Sequence, residues 1–355
     1  MFKGLKGIKI FGLFVVLFLS AINLQAVSVE EETVKQEGKF NPSTFILEHI
    51  ADSHEWHILT KKDGSRIAVY LPVIVYIKND GLKVFSSRKL AHGQIYEGLM
   101  IAEEGALTGR IVSVNELKQI DEENVPLDFS ITKVVAGLFI SVTIGLILLL
   151  TLARSYSKMG ISAPKGMQGF LEPIILFVRD DIAIPNIGIH KFEKFMPYLL
   201  TVFFFILINN LIGLIPFFPF GANVTGNIAV TLVLALFTFF ITQINANKSY
   251  WKHIYATPGV PFWLAPIMIP VEIIGIFSKP FALMVRLFAN ITAGHIIVLS
   301  LVSLIFIFDS LAVAPVSIFF VIFMDCLEVL VAFLQAYVFT LLSALFISLA
   351  VQEHH

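Results

Sequence analysis

An arginine stands inside an apolar run, Phe281-Ala282-Leu283-Met284-Val285-Arg286-Leu287-Phe288-Ala289. Within a bilayer such a side chain costs about 2.5–3.5 kcal/mol even on a lenient insertion scale. It cannot shed its proton, because a guanidinium pKa lies above ~12. The cost must be offset by a buried acid, by water or by a function. Snorkelling to an interface is the bland alternative, and the apolar flanks on both sides weigh against it.

Glu272, Lys279 and Arg286 are spaced by seven residues. At ~100° per residue this keeps them near one helical face, with Asn290 about 40° further round. His295 is nine residues beyond Arg286, near the opposite face. The helix therefore carries a fixed cation on one side and a titratable imidazole on the other. A lone histidine in a membrane is usually a hydrogen-bonded packing residue. Here the final apolar stretch supplies Asp325, Glu328 and Gln335, with Glu328 and Gln335 again seven apart. A histidine and a glutamate on adjacent helices can exchange protons near neutral pH when burial brings their proton affinities together. Ionisable residues within a membrane are proton-path candidates.

The elements that position these groups follow from composition. Of 355 residues, 57% are hydrophobic and 14% charged. A soluble domain has about 25% charged residues, so an ordinary cytosolic enzyme is excluded. A net charge of −1 offers no argument for nucleic acid. One cysteine, Cys326, excludes an internal disulfide framework. The charges are unevenly spread: residues 27–128 hold 28 of the 51 Asp, Glu, Lys and Arg side chains, and 195–247 hold none. Five apolar segments approach the ~20 residues a span needs: about 131–153, 196–217, 226–245, 262–308 and 314–351. The last two exceed one perpendicular span and must tilt, break or project. Pro258, Pro261, Pro266 and Pro270 predict a broken or interfacial entry into the fourth. The fold class is an all-α polytopic membrane protein of about five transmembrane helices, the last two long and tilted, with a small β-containing extramembrane region at the N-terminus.

Residues 1–26 read as a signal peptide, with Lys3, Lys6 and Lys9 before a short apolar run; an uncleaved first helix is the alternative. The connections after the first and third spans carry Arg154, Lys158, Lys165, Arg179, Lys191, Lys194, Lys248 and Lys252, and the other two carry no Lys or Arg. The positive-inside rule then puts 27–128 in the periplasm and the C-terminus in the cytoplasm. Residues 129–355 form the transmembrane domain of a bacterial inner-membrane protein. In the outer region, β-branched and aromatic residues over 66–77, between turn signals at 62–64 and 79–81, predict a small β-meander. His49, His54, His57 and His92 match no strong metal spacing, and surface histidines are the simpler reading. Met167, Phe170, Leu171, Ile174 and Val178 recur at helical spacing. That helix is interfacial, partner-binding, or packed on the protein's own helices.

Ser278-Lys279-Pro280 followed by Arg286-Leu287-Phe288-Ala289-Asn290-Ile291-Thr292-Ala293-Gly294-His295 resembles the signature of subunit a of F-type ATP synthases. Glu328 with Leu334-Gln335-Ala336-Tyr337-Val338-Phe339, and Asn209-Asn210-Leu211-Ile212-Gly213-Leu214-Ile215-Pro216, are similar to that family's last and earlier membrane helices. The likeness runs from about residue 131 to the C-terminus. It implies a helical stator beside a rotating ring of c subunits, with peripheral-stalk b subunits and the lipid bilayer as further partners. It implies no nucleic acid, no cofactor and no catalysis of its own. Arg286 matches the family's essential arginine, and Asn290 and Gln335 its nearby polar residues. His295 and Glu328 match an exchanged form of a pair that some members carry the other way round. Where some members have an acid three residues after Asn210, this chain has Gly213.

On this resemblance a protonated ring carboxylate is drawn to Arg286, releases its proton into one aqueous half-channel and is reprotonated from the other. His295, Glu328, Asn210 and Gln335 fall to the outer half-channel and Glu272 to the inner one. The chain has no G-x-x-x-x-G-K-[ST] loop to cradle ATP phosphates. A self-contained secondary transporter with an anion site at Arg286 is the alternative; such folds often show internal repeats, and none is evident. A stalk anchor would leave the buried charges unexplained.

Overall fold

The computed structural model describes residues 41–352 except 61–65, 79, 103–106, 116–119, 122–124, 160–165, 216–217, 256–261, 309 and 311. The expected signal segment, the turn at 62–64, Asn79, Pro258 and Pro261 thus lie outside the described residues. In the outer region, α1 (Pro42–Ile50) precedes β1 (Glu55–Thr60), β2 (Arg66–Tyr70), β3 (Pro72–Ile77), β4 (Gly81–Ser86), β5 (Leu99–Ile101), β6 (Ile111–Ser113) and β7 (Leu127–Asp128). The strands form three small antiparallel sheets, β1-β2, β4-β3-β7 and β5-β6. The expected continuous meander is therefore corrected: the stretch 66–77 is two strands that do not pair. Leu71 divides them because its amide donates to His54 O and its carbonyl accepts from Ser87 N, which ties it to neighbours outside both strands. Pro72, next along, has no amide to extend a ladder. Alternation on β3 buries Val73, Val75 and Ile77 in one core with Leu90, Leu99 and Ile111.

The outer region is fastened to the first membrane helix, α2 (Lys133–Met159). Asp52 Oδ1 accepts from Val134 N at 3.0 Å, and Oδ2 from Thr132 Oγ1 at 2.7 Å. An acceptor at this end satisfies an orphan helix donor. Buried Lys133 donates to His49 O at 3.1 Å, near the C-terminus of α1. Trp56 on β1 is buried against Val134, Leu138, Ala222, Val224 and Val230.

His54 is buried, and its Nε2 lies 3.1 Å from Asp128 Oδ2. Burial pushes the Asp128 carboxyl up, but hydrogen bonds from His54 and Ser130 outweigh it and hold it below the ordinary 3.8. A depressed carboxylate stabilises the fold above 3.8 and loses that contribution as pH falls through its folded value. Acid should therefore loosen the contact between the outer region and α2. Asp128→Asn, which cannot ionise, should flatten this acid limb of Trp56 fluorescence in a chain carrying Trp251→Phe and Trp263→Phe. An acid limb unchanged by Asp128→Asn would refute the assignment.

The membrane region continues through α3 (Met167–Phe177), a π-helical turn over Val178–Ala183, α4 (Ile184–Ile187), α5 (Phe192–Gly213), α6 (Ile228–Ile244), α7 (Lys248–Tyr255), α8 (Ala265–Phe308) and α9 (Ala314–Val351). Helices α2, α5, α8 and α9 are long and apolar enough to cross a membrane. The 17-residue α6, with α7 bent 101° away from it, makes a fifth. The 44 residues of α8 would extend about 66 Å, twice a hydrocarbon core. The broken entry expected for this span is corrected for its described part, because Pro266, Pro270 and Pro280 all lie within one continuous helix. Pro266 occupies the first turn, where the missing N–H costs nothing, and each later proline removes one hydrogen bond from a long ladder.

The core lies between α5, α8 and α9. Leu199, Phe203 and Ile206 meet Leu283, Leu287, Ala336, Phe339, Ala344 and Ile347 there. Small residues on α9 let backbones approach, as membrane helix pairs require. The amphipathic segment divides: Leu171 and Val178 pack into this core, whereas Met167 and Phe170 are exposed. Gln168 is buried and accepts from Ser155 Oγ at 2.8 Å.

Candidate functional site

Arg286 lies near the middle of α8 and is exposed on its surface. Leu283, Met284 and Leu287 turn inward and are buried, so the helix packs by those residues and leaves the guanidinium outward. Among the described residues Arg286 has no ion pair. Phe281, Ala282, Val285 and Ala289 around it are exposed as well, so this outer face is left to lipid or to another chain. A mid-helix cation there calls for an anion that the described residues do not supply.

One turn beyond Arg286, a string of polar contacts crosses three helices. Asn290 Nδ2 donates to Gln335 Oε1 at 3.0 Å, and Gln335 is 1% exposed. Three residues away on α9, Ala332 O accepts from Asn210 Nδ2 at 3.4 Å. Asn210 Oδ1 accepts from Thr225 Oγ1 at 2.7 Å. Buried Asn210 and Gln335 thus meet the same stretch of α9, and Asn290, exposed on α8, bonds Gln335, which makes a polar seam open at its α8 end. Thr225 was missed: Asn223-Val224-Thr225 reads from sequence as a chance glycosylation sequon. A hydroxyl in an apolar connection before α6 was the available signal.

His295 is half-buried, about 13 Å along the axis from Arg286. Glu328 on α9 packs its carboxyl against Gly294, immediately before His295. A Cβ placed on Gly294 would lie 2.6 Å from Glu328 Oε1. The pair is therefore brought to adjacent positions on two helices, but no direct hydrogen bond joins them. Among the described residues Glu328 Oε1 is buried and has no hydrogen-bond partner. Gly294 is the residue that admits the acid, a role visible only once α9 is in place.

Glu272 is half-buried on α8, about 21 Å from Arg286 along the axis. It is not part of the polar seam. Lys279, seven residues from each, turns to Phe346 of α9, its ammonium 5.7 Å from the ring centroid. Of the four outer-region histidines, His54 is committed to Asp128, and among the described residues no group of three His, Cys, Asp or Glu could hold a metal.

Residues 136–348 match the family model described as ATP synthase A chain, and residues 45–129 match a domain of unknown function, DUF8433. The chain is 50% identical over 235 residues to ATP synthase subunit a of Chloroherpeton thalassium, covering 64% of this chain and 69% of that protein. It is 53% identical over 230 residues to ATP synthase subunit a 2 of Chlorobaculum tepidum, covering 63% and 64%. It is 47% identical over 241 residues to ATP synthase subunit a of Myxococcus xanthus, covering 64% and 76%.

Proposed function

Because the chain belongs to the ATP synthase A chain family, we propose that it is the ion-translocating stator subunit of an F-type ATP synthase membrane sector, without catalysis of its own. The observation that carries this reading is Arg286, a cation without an ion pair among the described residues, midway along an exposed apolar helix face. A fixed guanidinium there meets a carboxylate of the c-subunit ring as it passes. Within about 4–6 Å it favours the ionised acid by roughly 1–3 pKa units, so the proton leaves at that point. The same positive charge repels a proton moving straight through.

The seam of Asn210, Gln335 and Asn290 leads towards Arg286 from within the helix core, and with His295 and Glu328 it forms the outer half-channel. The gap between His295 and Glu328 is bridged by water, which the unpartnered Glu328 Oε1 requires. Glu272 serves the inner half-channel. Each charge crossing 100 mV releases about 2.3 kcal/mol, so several protons are pooled for each ATP. The eight basic residues of two connections place the N-terminal region in the periplasm and the C-terminus in the cytoplasm, and residues 1–26 are removed as a signal peptide. Peripheral-stalk b subunits hold the chain against the turning ring.

The test is reconstitution of the complex purified through this chain. A rotor ring should co-purify, and ATP should acidify the vesicle lumen. Trypsin outside should spare the outer-region site at Arg88, which is lumenal in that orientation. Absence of the ring, or transport by the chain alone, would favour the transporter. Pumping with and without Na⁺ identifies the coupling ion.

A further inference from the structure

A small open cleft, with about 20 Å³ of enclosed space, lies between α6, α7, α8 and α9, lined by Thr238, Thr242, Gln243, Tyr250, Lys279 and Phe346. The proposed mechanism uses none of these residues. Lys279 is half-buried there, and among the described residues it has no ion pair. Gln243 Nε2 is 3.4 Å from Tyr250 OH, while its Oε1 is buried and accepts nothing. The cleft therefore offers a cation and, within the same lining, an acceptor that lacks a donor. A buried amide oxygen left unsatisfied is costly, so an occupant that donates to it is favoured.

The surroundings are those of a bilayer interface. Helix α7 turns 101° from α6, and its elbow is held by Asn247, whose Nδ2 donates to Val351 O at 2.7 Å. It carries Lys248 and Lys252 together with exposed Trp251 and Tyr255, whose rings stack at 6.3 Å. Basic and amphipathic aromatic side chains on a helix across the span direction belong at headgroup depth. Beside the cleft, Phe239 and Phe277 stack at 5.7 Å, and Phe277 is exposed, giving an apolar wall.

We propose that this cleft binds the headgroup of a glycerophospholipid, its phosphate on Lys279, an ammonium or hydroxyl donor on Gln243 Oε1, and its acyl chains along Phe239 and Phe277. A free phosphate shares the first contact but has no use for the apolar wall. Phosphatidylcholine shares the phosphate and the chains, but its quaternary ammonium cannot donate to Gln243. Assignment to the inner leaflet rests on the orientation proposed above; binding itself does not.

The test is native mass spectrometry of the delipidated, detergent-purified complex, titrated with phosphatidylglycerol, phosphatidylethanolamine, phosphatidylcholine and inorganic phosphate. Wild type should hold one phosphatidylglycerol or phosphatidylethanolamine more tightly than phosphatidylcholine. Lys279→Met should weaken it about tenfold or more, as loss of a charged hydrogen bond does. Lys279→Arg should retain it. Gln243→Leu, which removes the acceptor and keeps the bulk, should erase the preference over phosphatidylcholine and serves if Lys279→Met fails to assemble. Lys248→Met, outside the cleft, should change little. Equal retention of all three lipids by wild type, undiminished binding in both cleft variants, an equal loss in Lys248→Met, or saturation by inorganic phosphate alone would each overturn the site. ATP-driven pumping by the same wild-type preparation reports separately on the channel reading.

Discussion

Arg286→Ala should abolish ATP-driven proton pumping while the complex still assembles and its soluble sector still hydrolyses ATP. The reasoning is electrostatic. A cation within about 4–6 Å changes a carboxylate pKa by roughly 1–3 units, equivalent to about 1.4–4 kcal/mol. Losing it slows release of the ring proton by about ten- to a thousandfold. Assembly should survive because the inward face of α8 at this level is Leu283, Met284 and Leu287, not Arg286. A passive proton leak should appear as well, since the repelling charge is gone. Arg286→Lys should also fail: an ammonium is more strongly hydrated, lacks the planar fork and can be deprotonated in an apolar setting. The measurement is acidification of reconstituted vesicles, normalised to assembled complex. Pumping by Arg286→Ala within about twofold of wild type would sink the assignment, because a factor of two is worth only about 0.4 kcal/mol.

His295→Ala and Glu328→Ala should each reduce pumping about a hundredfold or more, the lower end for loss of a positioned proton-transfer group. The double variant should be little worse than either. Two groups in one path give non-additive losses, since each single change already breaks it. The exchange of His295→Glu with Glu328→His restores one acid and one imidazole at the same pair of helix positions. It should recover more activity than either single exchange, which leaves two acids or two imidazoles together. The packing at Gly294 sharpens the test. That glycine leaves room for the Glu328 carboxyl, and a Cβ there would come within 2.6 Å of it. Gly294→Ala should therefore mimic Glu328→Ala in direction, by displacing the acid without removing it. If the losses of His295→Ala and Glu328→Ala instead multiply, and the exchange is worse than both singles, the two are independent packing residues.

The charge map, the number of apolar segments and the unusual position of Arg286 could all be read from the chain. They depend on local quantities: the length of an apolar run, the charge of a connection, the cost of a guanidinium in hydrocarbon. Helical spacing likewise separated the Arg286 side of α8 from the His295 side, because the angle per residue is fixed by the backbone. The family motifs lie on those same helices, so the resemblance and the physics pointed to the same residues.

Partners were another matter. Spacing places Asn290 on a face of α8, but only the packing of α8 on α9 brings it to Gln335, 45 positions away. Asn210 and Thr225 meet because the connection before α6 folds back on α5. Lys279 and Arg286 share a helical angle by sequence, yet one turns to a cleft and the other to the outer surface, since different helices stand opposite them. The prolines of α8 suggested a break, and a long helix ladder absorbed them. The outer strands carried the right alternation but not the pairing, which Leu71 decided through bonds to His54 and Ser87. Sequence by itself determined which residues cross the membrane and which of them are costly to keep there, because those are properties of each segment against its solvent. The tertiary structure alone decided which costly residues satisfy one another within the chain and which, like Arg286, are left facing outward, because that depends on what the packing of separate helices places within hydrogen-bond reach.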